Sequence, residues 1–320
     1  MSSIAISQCL GPKEFEKQYK NFLSDYLTWD QKEHADKWIL FENNIGVKLS
    51  IDETALTKGE LYTIVTNKAG HGGKRTLVAI IAGTKASEVI PVLLKIPIEL
   101  RQNVKEVTLD MSYAMDAIIT ASFPQAIIVT DRFHVSQLVS DAVQEIRITA
   151  RRSALEEENL AILTAKEEKT NYKPMLYENG DTKKQLLARG HFVLFKTEKN
   201  WSDKQLQRAT ILFREFPNIA HAYHLSMQFR AWYENKTTKE IARDKLHDWY
   251  RKVEEEKIES FLVAAQSISL HEDTILNYFN GRSTNASAES FNAKLKGFRA
   301  LVRGVRDVKF FLFRVAKLYG

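Results

Sequence analysis

The chain has 320 residues, 46 of them Lys or Arg and 40 Asp or Glu, giving a net charge of +6 and a pI near 9.1. With 44% apolar and 27% charged residues it has the composition of a folded globular protein, not of a disordered one. A single cysteine, Cys9, excludes disulfides within the chain and any zinc site built on several thiolates. No apolar run approaches the length of a membrane span, and Met1 to Leu10 lacks the basic start and apolar stretch of a secretory signal.

Apolar and aromatic spacing predicts helix through most of residues 12–44, with Phe15, Tyr19, Phe22 and Tyr26 on one side. The period then changes to two. Val47-Lys48-Leu49-Ser50-Ile51 alternates like a half-buried strand, and Leu61–Thr66 and Leu77–Ala82 follow as β-rich runs joined by tight turns. The Gly-rich Gly70–Arg75 segment precedes a strand instead of a helix and lacks phosphate-loop spacing, so no nucleotide is expected. Residues 86–94 read as helix, Val104–Leu109 as a fourth strand and 112–122 as helix. Ala126–Thr130 reads as a short, wholly apolar strand, and 134–169 as one long helix. Residues 170–280 return to helical spacing rich in aromatics, and Ser283-Thr284-Asn285 offers N-cap candidates for a final helix.

The order β-β-β-α-β-α-β-α predicts a mixed sheet flanked by helices, the ribonuclease H-like arrangement, in which the first strand is central and the fourth lies parallel beside it. The fold class is therefore α/β, a ribonuclease H-like mixed sheet with an all-helical insertion. Four segments result: a helical N-terminus (1–45), the first part of the core (46–169), the insertion (170–280) and the completion of the core (281–320).

Two acids close strands of that sheet, Asp52 after the first and Asp110 after the fourth. A third, Glu289, falls in the first turns of the last helix. Three converging carboxylates repel one another unless they hold divalent cations, and hard oxygen ligands suit Mg²⁺ or Mn²⁺. Two such ions about 3.5–4 Å apart serve phosphodiester chemistry. An Asp at a strand end is equally a turn or helix cap, and a Glu near a helix start equally complements the helix dipole. Glu289, Asn292, Lys296 and Arg299 share one helical face, with Phe291, Leu295, Phe298 and Val302 on another.

From Lys294 to Lys317 the chain carries eight basic residues and one acid, which accounts for the whole net charge. Such a segment is either a solvated face or a phosphate-binding one. Asn292, Lys296, Arg299, Arg303 and Arg306 are the candidate DNA contacts. Trp201, in the polar stretch Glu198–Asp203, is the candidate for stacking on an unpaired base, and packing in a helical subdomain is the alternative.

Ser50-Ile51-Asp52-Glu53, Val107–Ser112, Phe123–Ala126, Ile128–Val135 and Asn285–Lys296, in this order, resemble a DDE transposase of the bacterial ISL3 family, over residues 46–320. The resemblance implies Asp52, Asp110 and Glu289 as catalytic metal ligands for two Mg²⁺ or Mn²⁺ ions. It implies cleavage at transposon ends and attack of the new 3′-hydroxyl on target DNA. It also implies a bacterial protein of the cytoplasm, associated with the nucleoid when on DNA, working as a homo-oligomer. Asp131-Arg132-Phe133-His134 resembles the D-x-x-H element of Mutator-like relatives. Asp131 and His134 are then auxiliary, or Asp131 replaces Asp110 as the second acid. Many family members carry an N-terminal cysteine-rich zinc module that this chain cannot form, so a separate N-terminal protein is expected to supply end recognition. A nuclease or resolvase that only hydrolyses, and a DNA-binding protein without catalysis, are the rival readings.

Overall fold

A computed structural model describes residues 12–57, 59–302 and 304–320; Cys9 and Arg303 lie outside them. The chain forms two compact units. One comprises the residues up to Asp131 together with Ser283–Gly320, and the other is Arg132–Arg282.

The first unit is built on one six-stranded mixed sheet. Its strands are β1 (Trp38–Leu40), β2 (Lys48–Thr57), β3 (Glu60–Asn67), β4 (Leu77–Ala82), β5 (Glu106–Leu109) and β6 (Ile127–Thr130), in the order β1-β4-β3-β2-β5-β6. β2, β3 and β4 form an antiparallel meander, whereas β5 and β6 continue parallel from β2. The sequence expectation of a central first core strand with the fourth parallel beside it holds, but that strand runs on to Thr57, so Asp52 lies inside it, paired with Ile64 of β3, and does not close it.

Alternation along the strands creates two different faces. Leu49, Ile51, Val65, Val107 and Leu109 point to a core covered by α2 (Ala86–Leu93), the short α3 (Ile98–Gln102) and α4 (Tyr113–Ser122). On the other face Tyr62, Ile64 and Ile80 pack against Phe291 and Leu295 of α13 (Ala286–Leu301) and against Phe311, Leu312 and Val315 of α14 (Val308–Tyr319). On β2 and β5 this second face is polar: Ser50, Thr54 and Thr108 are all buried there.

Two expectations need correction. Residues 12–44 are not one helix. The α-helix α1 spans only Pro12–Gln18, followed by a π turn at Tyr19–Leu23, a 3₁₀ turn at Asp25–Thr28 and the edge strand β1. β1 pairs with β4, and on its other side the Gln31 amide satisfies Leu40 twice, accepting from its N–H (2.7 Å) and donating to its carbonyl (2.9 Å). The basic C-terminal stretch is likewise two helices. Gly304 breaks it with φ +96°, a conformation that favours glycine, and the Asp307 side chain caps α14 by accepting from Phe310 N–H at 3.0 Å.

The second unit is all helical. It opens with the long α5 (Arg132–Glu167), followed by α6 (Lys183–Leu194), α7 (Asp203–Glu215), α8 (Pro217–Glu234), α9 (Lys239–Glu256), α10 (Glu259–Leu270) and the short α11 (Glu272–Leu276) and α12 (Tyr278–Gly281). α5 packs on α6, α8 and α10. Its three tryptophans each donate the indole N–H to a backbone carbonyl: Trp201 to Val193 (3.0 Å), Trp232 to Ala242 (2.8 Å) and Trp249 to Leu225 (3.0 Å). Trp201 is half-buried, with its ring 5.5 Å from that of Tyr223 and 6.1 Å from that of Phe213. A ring held on its edge and its face is a packing element. Trp201→Ala is expected to cost about 2 kcal/mol, read as a lower melting temperature. An unchanged melting temperature would instead leave the ring available for a base.

No described helix is long and apolar enough to cross a membrane.

Candidate active site

The parallel register brings the acids together. β2 and β5 pair Lys48 with Glu106 and Ser50 with Thr108, and β5 and β6 pair Leu109 with Thr130. Continued by two residues on β2 and β5 and one on β6, the same register sets Asp52, within β2, in one row with Asp110 and Asp131, just past the ends of β5 and β6. The Asp131 N–H extends the ladder by donating to the Leu109 carbonyl at 2.7 Å. A row of strand carboxyl ends beside a crossover is the usual place for a site in a sheet of this kind.

Helix α13 supplies the rest. Its first turns lie along the polar face of β2. Ser287 Oγ sits 3.3 Å from Ser50 Oγ, and the Asn285 amide donates to the Ile51 carbonyl at 3.3 Å. The Asn285 backbone N–H donates to Asp131 Oδ1 at 2.8 Å. One turn further on, the Asn292 amide donates to Asp52 Oδ2 at 2.6 Å, while Asp52 Oδ1 accepts the Glu53 N–H at 2.8 Å. The amphipathic reading of α13 explains this seating. Phe291 and Leu295 enter the apolar half of the sheet face, which turns the intervening polar positions toward the acids.

Glu289 is exposed in the first turn of α13, and Asp131 is buried at 2% exposure. Asp131 and Glu289 offer ligand atoms that lie within 4.8 Å of one another. Asp52 and Asp110 are half-buried and stand outside that group. The helix N-terminus favours the carboxylates gathered around it. Glu53, which sequence reasoning passed over, belongs to the same neighbourhood: partial desolvation and the Asp110 carboxylate raise its carboxyl above the ordinary range.

The donor set fits a hard divalent cation. All the charged groups are oxygen ligands, and two further oxygens, Asn285 Oδ1 and Asn292 Oδ1, are buried acceptors without a hydrogen-bond partner. An acceptor-rich, carboxylate-lined edge suits Mg²⁺ or Mn²⁺ in preference to softer metals.

A second polar knot supports the entry to α13. Glu106 accepts from Ser283 Oγ at 2.5 Å and from Lys48 at 3.0 Å, with the Lys68 ammonium 3.6 Å away. Burial alone would raise the Glu106 carboxyl, but the Ser283 hydroxyl and the two lysines outweigh it and hold the group below its usual range. This stabilisation is present above pH ~4.5 and is lost as pH falls through the lower folded value. Glu106→Gln is therefore expected to show a stability deficit near pH 6 that shrinks toward pH ~3, measured as the difference in urea midpoint from wild type. A deficit independent of pH would assign Glu106 a role in shape alone.

The basic segment is partly consumed inside the unit. Lys294 donates to the Gly72 carbonyl (2.7 Å) and Lys309 to the Glu33 carbonyl (2.6 Å), and Lys317 pairs with Asp25. Arg314 lies over the Phe298 ring at 4.8 Å, and half-buried Arg299 reaches the Ala55 carbonyl at 3.5 Å. Lys296 and Arg306 remain exposed, whereas Asn292, read from the sequence as a DNA contact, is 4% exposed beside Asp52.

A family profile described as "Transposase", of the DDE type of the ISL3 family, matches residues 49–315. The transposase for insertion sequence element IS1001 of Bordetella parapertussis is 23% identical over 270 residues, covering 83% of this chain and 59% of the relative. The chain thus spans about three-fifths of the length of that curated relative. The profile covers both the strand-end acids and the α13 segment, and on that extent the chain belongs to the ISL3 family of DDE transposases.

Proposed function

We propose that this chain is the catalytic part of a transposase that cuts DNA at the ends of an insertion element and joins the exposed 3′-hydroxyl to target DNA. The observation that carries the reading is the parallel β2–β5–β6 register, which sets acids in one row across adjacent strands, with the Glu289 carboxylate of α13 within 4.8 Å of Asp131. Asp52, Asp110 and Glu289 would hold two divalent ions. When bound, those ions supply Lewis-acid activation of a water or 3′-hydroxyl and stabilisation of the departing oxygen.

The chain's own groups orient that chemistry. Asp52 is fixed by two N–H donors, one from its own strand and one from α13. Asp131 ties the start of α13 to the strand end, so it acts as a buttress for the helix bearing Glu289. In the first reaction water attacks the phosphodiester at the element end and a 3′-hydroxyl leaves. In the second that hydroxyl attacks a target phosphodiester and displaces a new 3′-hydroxyl. Lys296 and Arg306, with Arg299 and Arg303, neutralise backbone phosphates without reading bases. In this reading the active form is a homo-oligomer on DNA, the helical segment is an insertion in the catalytic core, and a separate protein supplies end recognition.

The test is a joining assay with labelled element-end DNA and supercoiled target in Mn²⁺. Joined strand-transfer products are expected. Nicking without joining would reduce the protein to a hydrolase, and metal-independent binding alone would remove catalysis from the reading.

A further inference from the structure

The Asn292 side chain is the least expected member of the site. It is 4% exposed, it sits three residues after Glu289 on α13, and its Nδ2 lies 2.6 Å from Asp52 Oδ2. Chemistry fixes this amide orientation, because the opposite one would set its oxygen against a carboxylate. The result is that both oxygens of Asp52 have an N–H donor, one from its own strand and one from the helix. The carboxylate plane is then set by two elements at once. The amide's other end, Oδ1, is buried and has no hydrogen-bond partner among the described residues. A group serving stability alone would not leave a buried acceptor unmatched, since an apolar side chain of similar volume would fill the space at less cost.

Resting on the metal reading above, we infer that Asn292 is a positioning residue: through it α13 aims the Asp52 carboxylate and so sets the divalent-cation affinity of the site. The device also couples the two acids in one rigid body. The helix that carries Glu289 is the helix that orients Asp52, so the spacing between these ligands is held by a hydrogen bond as well as by core packing. Asn suits the position better than Asp, which would add a fourth negative charge against Asp52. It suits it better than Ser, whose hydroxyl is too short to reach.

Mn²⁺ titration of the full chain without DNA, followed by electron paramagnetic resonance of the free ion, tests the inference separately from activity. Asn292→Leu, close in volume and apolar, is expected to weaken Mn²⁺ binding about tenfold or more while the melting temperature stays level or rises. Asn292→Ala, which admits water in place of the amide, is expected to show a smaller loss of the same sign. Mn²⁺ affinity within twofold of wild type in both variants, alongside lost binding in Asp52→Ala, would overturn the role of Asn292 and leave the metal site standing. Retained binding in Asp52→Ala would remove the metal reading itself, and this inference with it. If Asn292→Leu melts far lower than wild type, the Asn292→Ala titration decides, and wild-type affinity there overturns the inference.

Discussion

Replacing Asp52, Asp110 or Glu289 by alanine is expected to lower strand joining by about 10³-fold or more. The activity loss follows from removing a ligand whose metal contributes several kcal/mol to the barrier, each 1.36 kcal/mol being a factor of ten. Asp131 carries a stability role as well. It is buried and accepts the Asn285 N–H, so Asp131→Ala orphans a backbone donor and should cost about 1–3 kcal/mol of stability. Joining assays and melting curves on the four variants separate the roles. An active Asp110→Ala beside a folded but inactive Asp131→Ala would transfer the second-acid role to Asp131.

Phe291→Ala should be the most damaging single change to the fold near the site. Phe291 is fully buried, its ring is 5.0 Å from that of Tyr319, and it joins α13 to Ile64 and Ile80 of the sheet and to α14. Truncating a buried phenylalanine costs about 3–5 kcal/mol. At roughly 2–4 °C per kcal/mol for a chain of this size, the melting temperature should fall by about 6–20 °C. The site should suffer as well, since Phe291 lies two residues from Glu289 and one from Asn292. Phe291→Leu, which refills most of the volume, should recover most of the loss. A melting temperature within about 2 °C of wild type would show that α13 is held by its polar contacts instead.

Much of this site was readable before the structure, for physical reasons that stop at identifiable places. The alternation Leu49, Ser50, Ile51, Asp52 is itself a statement about which face is core. It gave the face of β2, because a period of two survives in any half-buried strand, but not its end, since β2 continues past Asp52 to Thr57. The three-residue β1 offers no period at all, and its pairing depends on β4 and on Gln31, nine residues from Leu40. The break at Gly304 was visible as a glycine, but the basic residues on either side read as one run. What sequence could not supply was partnership over distance. Lys317 pairs with Asp25 across 292 positions, and Lys20 with Asp307 across 287, so charges that look free in the chain are spent inside the fold. Asn292 illustrates the same limit. Helical spacing put it beside Glu289, but only the docking of α13 on β2 shows that its neighbour is a carboxylate and not solvent.

The hydrogen bond from the Asn285 N–H to Asp131 Oδ1 joins residues 154 positions apart in sequence. The chain leaves the sheet at Asp131 and comes back almost to the atom it left from. For the sheet, everything between is a closed loop with its neck already tied, and loop closure grows only as the logarithm of length, about 0.6 kcal/mol per doubling. The helical segment is therefore free to lengthen, shorten or be exchanged over evolutionary time at little cost to the strand ends. Diversity should collect there, and the neck, Asp131 with Asn285, is the place where it has to stop.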